Sequence, residues 1–486
     1  MNWILLAEIL YIILIILVCA RVVYDTQSTT KTLAYLLAVI FLPFVGMIIY
    51  FSVGINYRKR KMYSKKVFNN LEMELAMRKR ILEMSQTIFT TRSESVNTFK
   101  KLANLILSQT SSPITQGNDV TLLLNGENKF PKVLEALKNA KNHIHIEYYI
   151  YEADAIGCQI IDLLIEKAKE GVTVRFMYDD FGSREIRKKQ VPRLKAAGVA
   201  VFPFYKIKLI ALANRLNYRN HRKIIVIDGI LGFVGGINVS DKYINNSEEK
   251  NALFWRDTHL RIQGPSVSTL QYIFMGDWNY CAGEQLAPET RYFPEVKEAY
   301  QSNSDKIVQI AASGPDSDTP LIQQTLVQAI SLAKKELLIT TPYFIPGEGI
   351  LENLVIAASS GTKVKLLVPG ISDSLLVNYA VRSYYSRLLD AGVEIYRYQK
   401  GFVHAKTMVA DQQLAMVGTA NMDIRSFDLN FEVNALVYDE AIAQELSQAF
   451  YEDLKDATII DVENWRARSK FTQLLEKLAG LFSPLM

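Results

Sequence analysis

Apolar positions crowd the first sixty residues, and beyond them the pattern changes to an alternation of β-rich and helical runs. Trp3 to Ala20 is interrupted only by Glu8, and Thr32 to Gly54 contains no charged residue. About 20 apolar residues at 1.5 Å rise cross a hydrocarbon core ~30 Å thick. Both stretches are therefore expected to be transmembrane helices, with Glu8 near a helix end at headgroup depth. Met1-Asn2 offers no basic leader region, and Val18-Cys19-Ala20 is a poor cleavage site, so retained spans are expected rather than a removed signal peptide.

The flanking charge orients this hairpin. Arg58-Lys59-Arg60-Lys61 and Lys65-Lys66 follow the second stretch with no acid among them, whereas the intervening loop offers only Arg21, Asp25 and Lys31. By the positive-inside rule the bulk of the chain is cytoplasmic, and so is the N-terminus of a two-span hairpin. The same basic run suits anionic headgroups; its other reading is a topology signal alone.

Beyond a charged helical connector (61–116), two segments resemble each other. His145 to Tyr149 (HIEYY), Gly171 to Arg175 (GVTVR) and Ala197 to Val201 (AGVAV) are matched by Ile339 to Tyr343 (ITTPY), Gly361 to Lys365 (GTKVK) and Ala391 to Ile395 (AGVEI). In each, a β run, a helix, a β run and a helix ending in Ala-Gly follow in order, which predicts an α/β fold with a helix-covered sheet. Self-similarity at this spacing means two homologous α/β domains rather than a short-period solenoid. We place them at 117–285 and 306–456. The polar stretch 286–305, with Pro288 and Pro294, is the expected linker, and 457–486 an amphipathic tail.

Composition narrows the function. The 486 residues carry 55 Lys+Arg against 50 Asp+Glu, a net charge of +5 too mild for a dedicated nucleic-acid binder. Cys19, Cys158 and Cys281 lie far apart, which argues against a disulfide framework or a Cys-rich zinc site. Mean hydropathy is slightly positive at +0.06, an excess that sits in the first sixty residues.

The candidate chemistry is repeated as well. His221, Lys223 and Asp228, followed by Gly235-Gly236 and Asn238, recur at identical offsets as His404, Lys406 and Asp411, followed by Gly418-Thr419 and Asn421. Residues two apart on a strand share a face, so His and Lys can reach one ligand. Asp228-Gly229 is a hairpin-turn signature, which gives the Asp a turn-supporting part. Lys with the Asn amide suits phosphate oxygens, and two such sets facing each other would hold one phosphodiester between two imidazoles.

These residues resemble the HxKxxxxD signature of the phospholipase D superfamily in its two-motif form. The double apolar N-terminus, Phe254 to His259 (FWRDTH), Ser313 to Asp316 (SGPD) and the closing Ser483-Pro484-Leu485 resemble more narrowly the bacterial cardiolipin synthases. The resemblance implies two phospholipase D-like domains with pseudo-two-fold symmetry, a phosphatidyl-histidine intermediate, and fusion of two phosphatidylglycerols with release of glycerol. It implies no metal or other cofactor. The partners it implies are phosphatidylglycerol and membrane lipids and no nucleic acid, and assembly into a homo-oligomer is compatible with it. The catalytic set would be His221, Lys223, Asp228, His404, Lys406 and Asp411. His221 would be the nucleophile and His404 the acid, then base, with the reverse assignment open. Asn238 and Asn421 would support the site. Asp257 and Glu432 would be the carboxylates behind His221 and His404 respectively. A phospholipase D, a phosphatidylserine synthase and a membrane-tethered nuclease are the rival readings.

Other candidates read as structural. His143, His145 and Glu147 alternate with Ile144 and Ile146 as on a half-buried strand, Asp179-Asp180 ends a strand, and His259 buttresses the segment around Asp257. Phe202 to Leu216 reads either as a bilayer-surface segment or as a core helix. Trp465 to Leu485 is a second candidate surface contact.

Overall fold

The computed structural model describes residues 3–26, 29–51, 85, 88, 93–110, 112–204, 218–245, 253–283, 285–294, 304–372 and 374–483. The basic run 58–66, most of the connector and most of the segment ending at Leu216 lie outside them.

The first apolar stretch is one helix, α1 (Trp3–Asp25), the single described helix long and apolar enough to span a bilayer. The second departs from the expected continuous span and forms α2 (Thr29–Phe41) and α3 (Pro43–Ile49). Leu42 between them leaves helical geometry, at φ −133° and ψ 65°. The cause is Pro43, whose ring disfavours the helical conformation of its predecessor while suiting the first turn of the next helix. Val18 and Val22 of α1 pack with Tyr35, Val39 and Tyr50, so the apolar segments form a folded-back unit.

The first repeat contributes β1 (Ile114–Leu124), β2 (His143–Tyr148), β3 (Thr173–Asp179), β4 (Ala200–Phe204), β5 (Arg219–Asn220), β6 (Ile224–Ile227), β7 (Leu231–Gly235), β8 (Phe254–Arg256) and β9 (Thr258–Gln263). The second contributes β10 (Lys306–Ser313), β11 (Glu336–Thr340), β12 (Phe344–Ile345), β13 (Lys363–Pro369), β14 (Glu394–Tyr398), β15 (Gly401–Val403), β16 (Thr407–Ala410), β17 (Leu414–Gly418), β18 (Met422–Asp423), β19 (Asn430–Val437) and β20 (Ala457–Ile459). Sixteen of them build one mixed sheet, while β8 pairs with β15 and β12 with β18 outside it. From a central antiparallel seam of β1 on β10, the order runs outward as β1-β9-β7-β6-β2-β3-β4 and as β10-β19-β17-β16-β11-β13-β14-β20. Apart from β20 the two lists correspond strand for strand, so the sequence repeat becomes a pseudo-two-fold through the seam. The strands of the β/α repeat, β2-β3-β4 and β11-β13-β14, pair in parallel, as crossovers through helices require.

Burial follows the pattern. β6 (IIVI) is buried at every position, as expected of a strand covered on both faces. Ile144, Ile146, Ile160 and Leu164 pack beneath the helices of the first half, and Leu337, Ile339, Leu351 and Leu354 beneath those of the second. A third core belongs to neither: Val120, Leu122, Val226 and Val234 pack in one cluster with Val308, Ile310, Val433 and Ala435. Apolar burial at roughly 25 cal/mol per Å² thus fixes the halves on each other. The repeated Ala-Gly has a local reason, since Gly198 and Gly392 end helices at φ 87° and 91°, where glycine carries no Cβ penalty.

Candidate active site

Two short strand pairings place the histidines. β5 runs parallel to the start of β19, and the next residue, His221, donates its backbone N–H to Phe431 O at 3.0 Å. β15 runs parallel to β8, and His404 N–H donates to Arg256 O at 2.7 Å. Each histidine therefore enters beside a strand of the opposite half, bonded to the residue immediately before a carboxylate of that half.

The consequence corrects the expected pairing. Glu432, not Asp257, stands behind His221, with Nδ1 to Oε1 at 3.1 Å. Asp257, not Glu432, stands behind His404, with Nδ1 to Oδ2 at 2.7 Å. The pairs cross between the halves because β5 and β15 extend across the seam. An Nδ1–H donated to a carboxylate leaves the lone pair on Nε2, so each ring is set for attack or proton acceptance through that nitrogen. Both carboxylates are buried, and the imidazoles keep only 16% and 17% of their side-chain surface exposed.

Each carboxylate is held by its own half. Thr258 N–H donates to Asp257 Oδ1 at 2.7 Å, and a Cβ at Gly236 would collide with this carboxylate. Thr419, at the position of Gly236, instead donates Oγ1–H to Glu432 Oε2 at 2.6 Å. The one departure between the two motifs is thus functional geometry: bare backbone beside the shorter acid, a hydroxyl for the longer one. Asn430 adds Nδ2 at 3.2 Å from both Glu432 Oε1 and His221 Nδ1.

The lysines lie beside the rings. Lys223 Nζ donates to His221 O at 2.6 Å. Lys406 Nζ donates to His404 O and lies 2.9 Å from His404 Nδ1. The supporting amides are committed locally. Asn238 accepts from Ile150 N–H and donates to Tyr243 Oη at 3.0 Å, and Tyr243 Oη lies 3.4 Å from His404 Nδ1. Asn421 donates to Asp423 at 3.0 Å, while its buried Oδ1 has no hydrogen-bond partner among the described residues.

The motif aspartates lie elsewhere. Asp228 and Asp411 occupy the far ends of β6 and β16 at φ 53° and 54°. Asp228 accepts from the backbone N–H groups of Lys141, Asn142 and His143, and Asp411 from those of Lys334, Lys335 and Glu336. Their expected place in the catalytic set is corrected to a structural one: they fasten the turn that starts β2 and β11, and through it the register of the strand carrying His and Lys.

Burial dominates the electrostatics. It pushes the His404 pKa down to about 3, helped by Lys406 and opposed by Asp257. It lowers His221 as well, against Glu432. Burial also brings Lys223 down to about 8 and Lys406 to about 7, the latter with help from Lys223. For Asp257, burial is outweighed by Lys406 and by the His404 hydrogen bond, which hold the carboxylate below its ordinary value. These shifts favour neutral imidazoles and leave the lysines able to gain protons near neutral pH. A bound anion favours their charged forms, so protons are taken up at a pH between the empty and bound values. Calorimetric titration with inorganic phosphate at about pH 8, in buffers of different ionisation enthalpy, should show net proton uptake; net release would contradict this picture.

Sequence reasoning missed Tyr149, Tyr243, Trp255 and Asn430. The Tyr149 ring lies 4.0 Å from that of His221, and Trp255 lies 5.7 Å from His404. Tyr149 had a signal, since Tyr343 stands at the matching point of the second repeat. The structurally read residues hold the surroundings of this chemistry, Glu147 and Asp179 by bonding Asn220 beside His221. His143 and His145 contact Gln271, with His145 stacked on Phe274. Asp179 accepts from the N–H groups of Phe181, Gly182 and Asn220. His259 is fully buried, and neither of its ring nitrogens has a hydrogen-bond partner among the described residues.

Comparison with known proteins places this geometry. A family model described as "Cardiolipin synthase, PLD-like domain" matches residues 133–278 and again 326–454, and one described as "Phospholipase_D-nuclease N-terminal" matches 9–54. The chain is 40% identical to a cardiolipin synthase of Alkalihalophilus pseudofirmus over 99% of its own length and 93% of that protein. It is 39% identical to the major cardiolipin synthase ClsA of Bacillus subtilis over 98% of both chains. Among solved structures, the fold is similar to phosphatidylserine synthase of Haemophilus influenzae, with a TM-score of 0.57 at 14% identity, covering 81% of this chain and 98% of that one.

Proposed function

Because this chain belongs to the cardiolipin synthase family of phospholipase D-like proteins, we propose that it joins two phosphatidylglycerols into cardiolipin and glycerol through a phosphatidyl-histidine. The observation that carries the reading is the pair of imidazole–carboxylate couples, His221–Glu432 and His404–Asp257, each completed across the seam and each flanked by a lysine.

The steps follow from these groups. The first phosphodiester draws charge onto Lys223 and Lys406, and a proton onto His404. Neutral His221 attacks phosphorus through Nε2, forming the P–N bond. The P–O bond to the glycerol headgroup breaks, and the leaving alkoxide takes the His404 proton. Glycerol departs, and His404 is left neutral. It then removes the proton from a headgroup hydroxyl of the second phosphatidylglycerol, whose oxygen attacks phosphorus and breaks the P–N bond. His221 is restored and the product holds two phosphodiesters. The lysines stabilise charge on the non-bridging oxygens. Charge and proton transfer are thereby assigned to protein groups, and no cofactor enters the scheme.

The setting belongs to the proposal. The two apolar stretches form a membrane hairpin, α1 followed by the kinked pair α2 and α3, with the basic run 58–66 and the catalytic halves on the cytoplasmic side. A membrane-held second lipid has a large advantage over water through effective molarity. The halves are proposed as 114–285 and 306–459, because β1 starts at Ile114, before the expected 117, and β20 (Ala457–Ile459) pairs with β14 beyond the expected 456.

Vesicles in which phosphatidylglycerol is the sole phospholipid test the reading. Cardiolipin and glycerol should appear in equal amounts with no nucleotide-activated lipid, and added glycerol should drive the reaction backwards. Phosphatidic acid as the main product would identify a hydrolase instead, and cleavage of DNA or RNA with lipid untouched would identify a nuclease.

A further inference from the structure

The C-terminal helix Lys470–Leu481 is folded with its apolar side outward. Phe471, Leu474, Leu478, Leu481 and Phe482 are between 45% and 69% exposed. At 100° per residue these positions, with half-buried Leu475, fall within one continuous stripe. An ordinary surface helix turns such a stripe into the core. Here the opposite side is the attached one, and it is attached by polar groups and small residues.

The attachment is specific. Glu476 is buried and accepts from Arg382 Nε at 2.8 Å and Arg468 Nη1 at 2.5 Å. Gly480 sits so close to the helix Leu375–Ser383 that a Cβ would lie 2.7 Å from Ser383 Oγ. Tyr384 Oη and Ser483 Oγ share a hydrogen bond at 2.8 Å. Rolling the helix to bury its leucines would strand the buried Glu476 carboxylate and break both arginine contacts, a strongly unfavourable change. The outward stripe is therefore enforced by the fold. The helix against which it packs adds Leu375 and Leu376, both more than half exposed at its start.

We propose that this outward apolar stripe is a second membrane contact, seated in the interfacial layer of an anionic bilayer. The occupant rests on the lipid-substrate reading above, and charge favours it over a second copy of the chain. Lys470 and Lys477 are exposed along one edge of the stripe, positioned to snorkel to headgroups as the leucines enter the acyl boundary. A two-fold dimer that packs this stripe antiparallel would set the Lys470 and Lys477 edge of each copy against the same edge of the other. With the N-terminal apolar segments at one end of the chain and this helix at the other, the catalytic halves are held to the bilayer at two points.

The test uses the full chain in vesicles, with Cys19, Cys158 and Cys281 replaced by Ala and a fluorophore on Leu474→Cys or, as control, on Glu463→Cys. Lipids brominated in the acyl chains should quench the label at 474 at least about threefold more than at 463, as expected for insertion at the acyl boundary. The difference should grow as phosphatidylglycerol replaces phosphatidylcholine. The L474E/L478E variant should lose several-fold activity on vesicles and keep its rate on a short-chain, monomeric phosphatidylglycerol. Equal quenching at both sites, quenching at 474 that vanishes when protein is diluted in lipid, or equal loss of activity on both substrates would overturn the proposal. Quenching is read without turnover, so insertion in a chain that made no cardiolipin would overturn the functional reading alone.

Discussion

Replacing His221 by Ala should lower cardiolipin formation on the order of 10⁴-fold or more, the scale on which loss of a covalent nucleophile is felt, and leave no adduct to trap. His404→Ala should cost comparably in turnover but leave a different signature. The phosphorus–nitrogen bond would still form slowly on His221, and both its formation and its breakdown would be retarded, because one group serves as acid and then as base. Quenching the reaction in alkaline denaturant with lipid labelled on its phosphatidyl part, followed by peptide mapping without acid, distinguishes the two. An adduct found on His404 would exchange the two roles while keeping the chemistry.

Asp257→Asn should reduce turnover by about 10²–10⁴-fold, as losing the carboxylate behind a catalytic imidazole does elsewhere, and its signature should match that of His404→Ala. The crossed geometry makes this prediction sharp. If Asp257 served the histidine of its own half, the variant would suppress adduct formation at His221 and leave breakdown of preformed adduct unaffected. A second readout is the pH profile. Asp257 raises the Lys406 pKa, so removing its charge lowers that pKa further. The lysine then loses its proton at a lower pH, and the alkaline limb of the rate profile should move downward. Glu432→Gln, which touches His221 instead, should slow the attack step with His404 left in place.

Much of this site was legible in the chain. The His-Lys spacing, its recurrence and the β/α order around it follow from side-chain periodicity, which is local. The turn-forming part of Asp228 was legible for the same reason, since Asp-Gly after an apolar strand reads as a turn, and Asp411, followed by Gln412, inherits it only through the repeat. The crossing of the carboxylates was not. It depends on β5 with β19 and β15 with β8, pairings of two and three residues that no periodicity marks and that exist because the β1–β10 seam sets the halves in register. The meaning of Thr419 against Gly236 was hidden likewise, because it appears only when the lengths of Glu432 and Asp257 are set beside them in space. Pro43 is the opposite case. It stands in plain view within the second apolar stretch and signals a break that the unbroken lack of charge from Thr32 to Gly54 does not reveal.

The crossing also bears on how the protein is made. His404 and Asp257 are 147 residues apart in the chain, and His221 and its neighbour Asn430 are 209 apart. A ribosome that has completed the first half has delivered His221 and Asp257, two groups that do not serve each other. Neither imidazole has its carboxylate until the chain has grown past residue 404 for one pair and past residue 432 for the other. On the proposed reading, a chain that ends before residue 404 would hold neither imidazole–carboxylate couple, so translation itself would act as a safety catch on the chemistry.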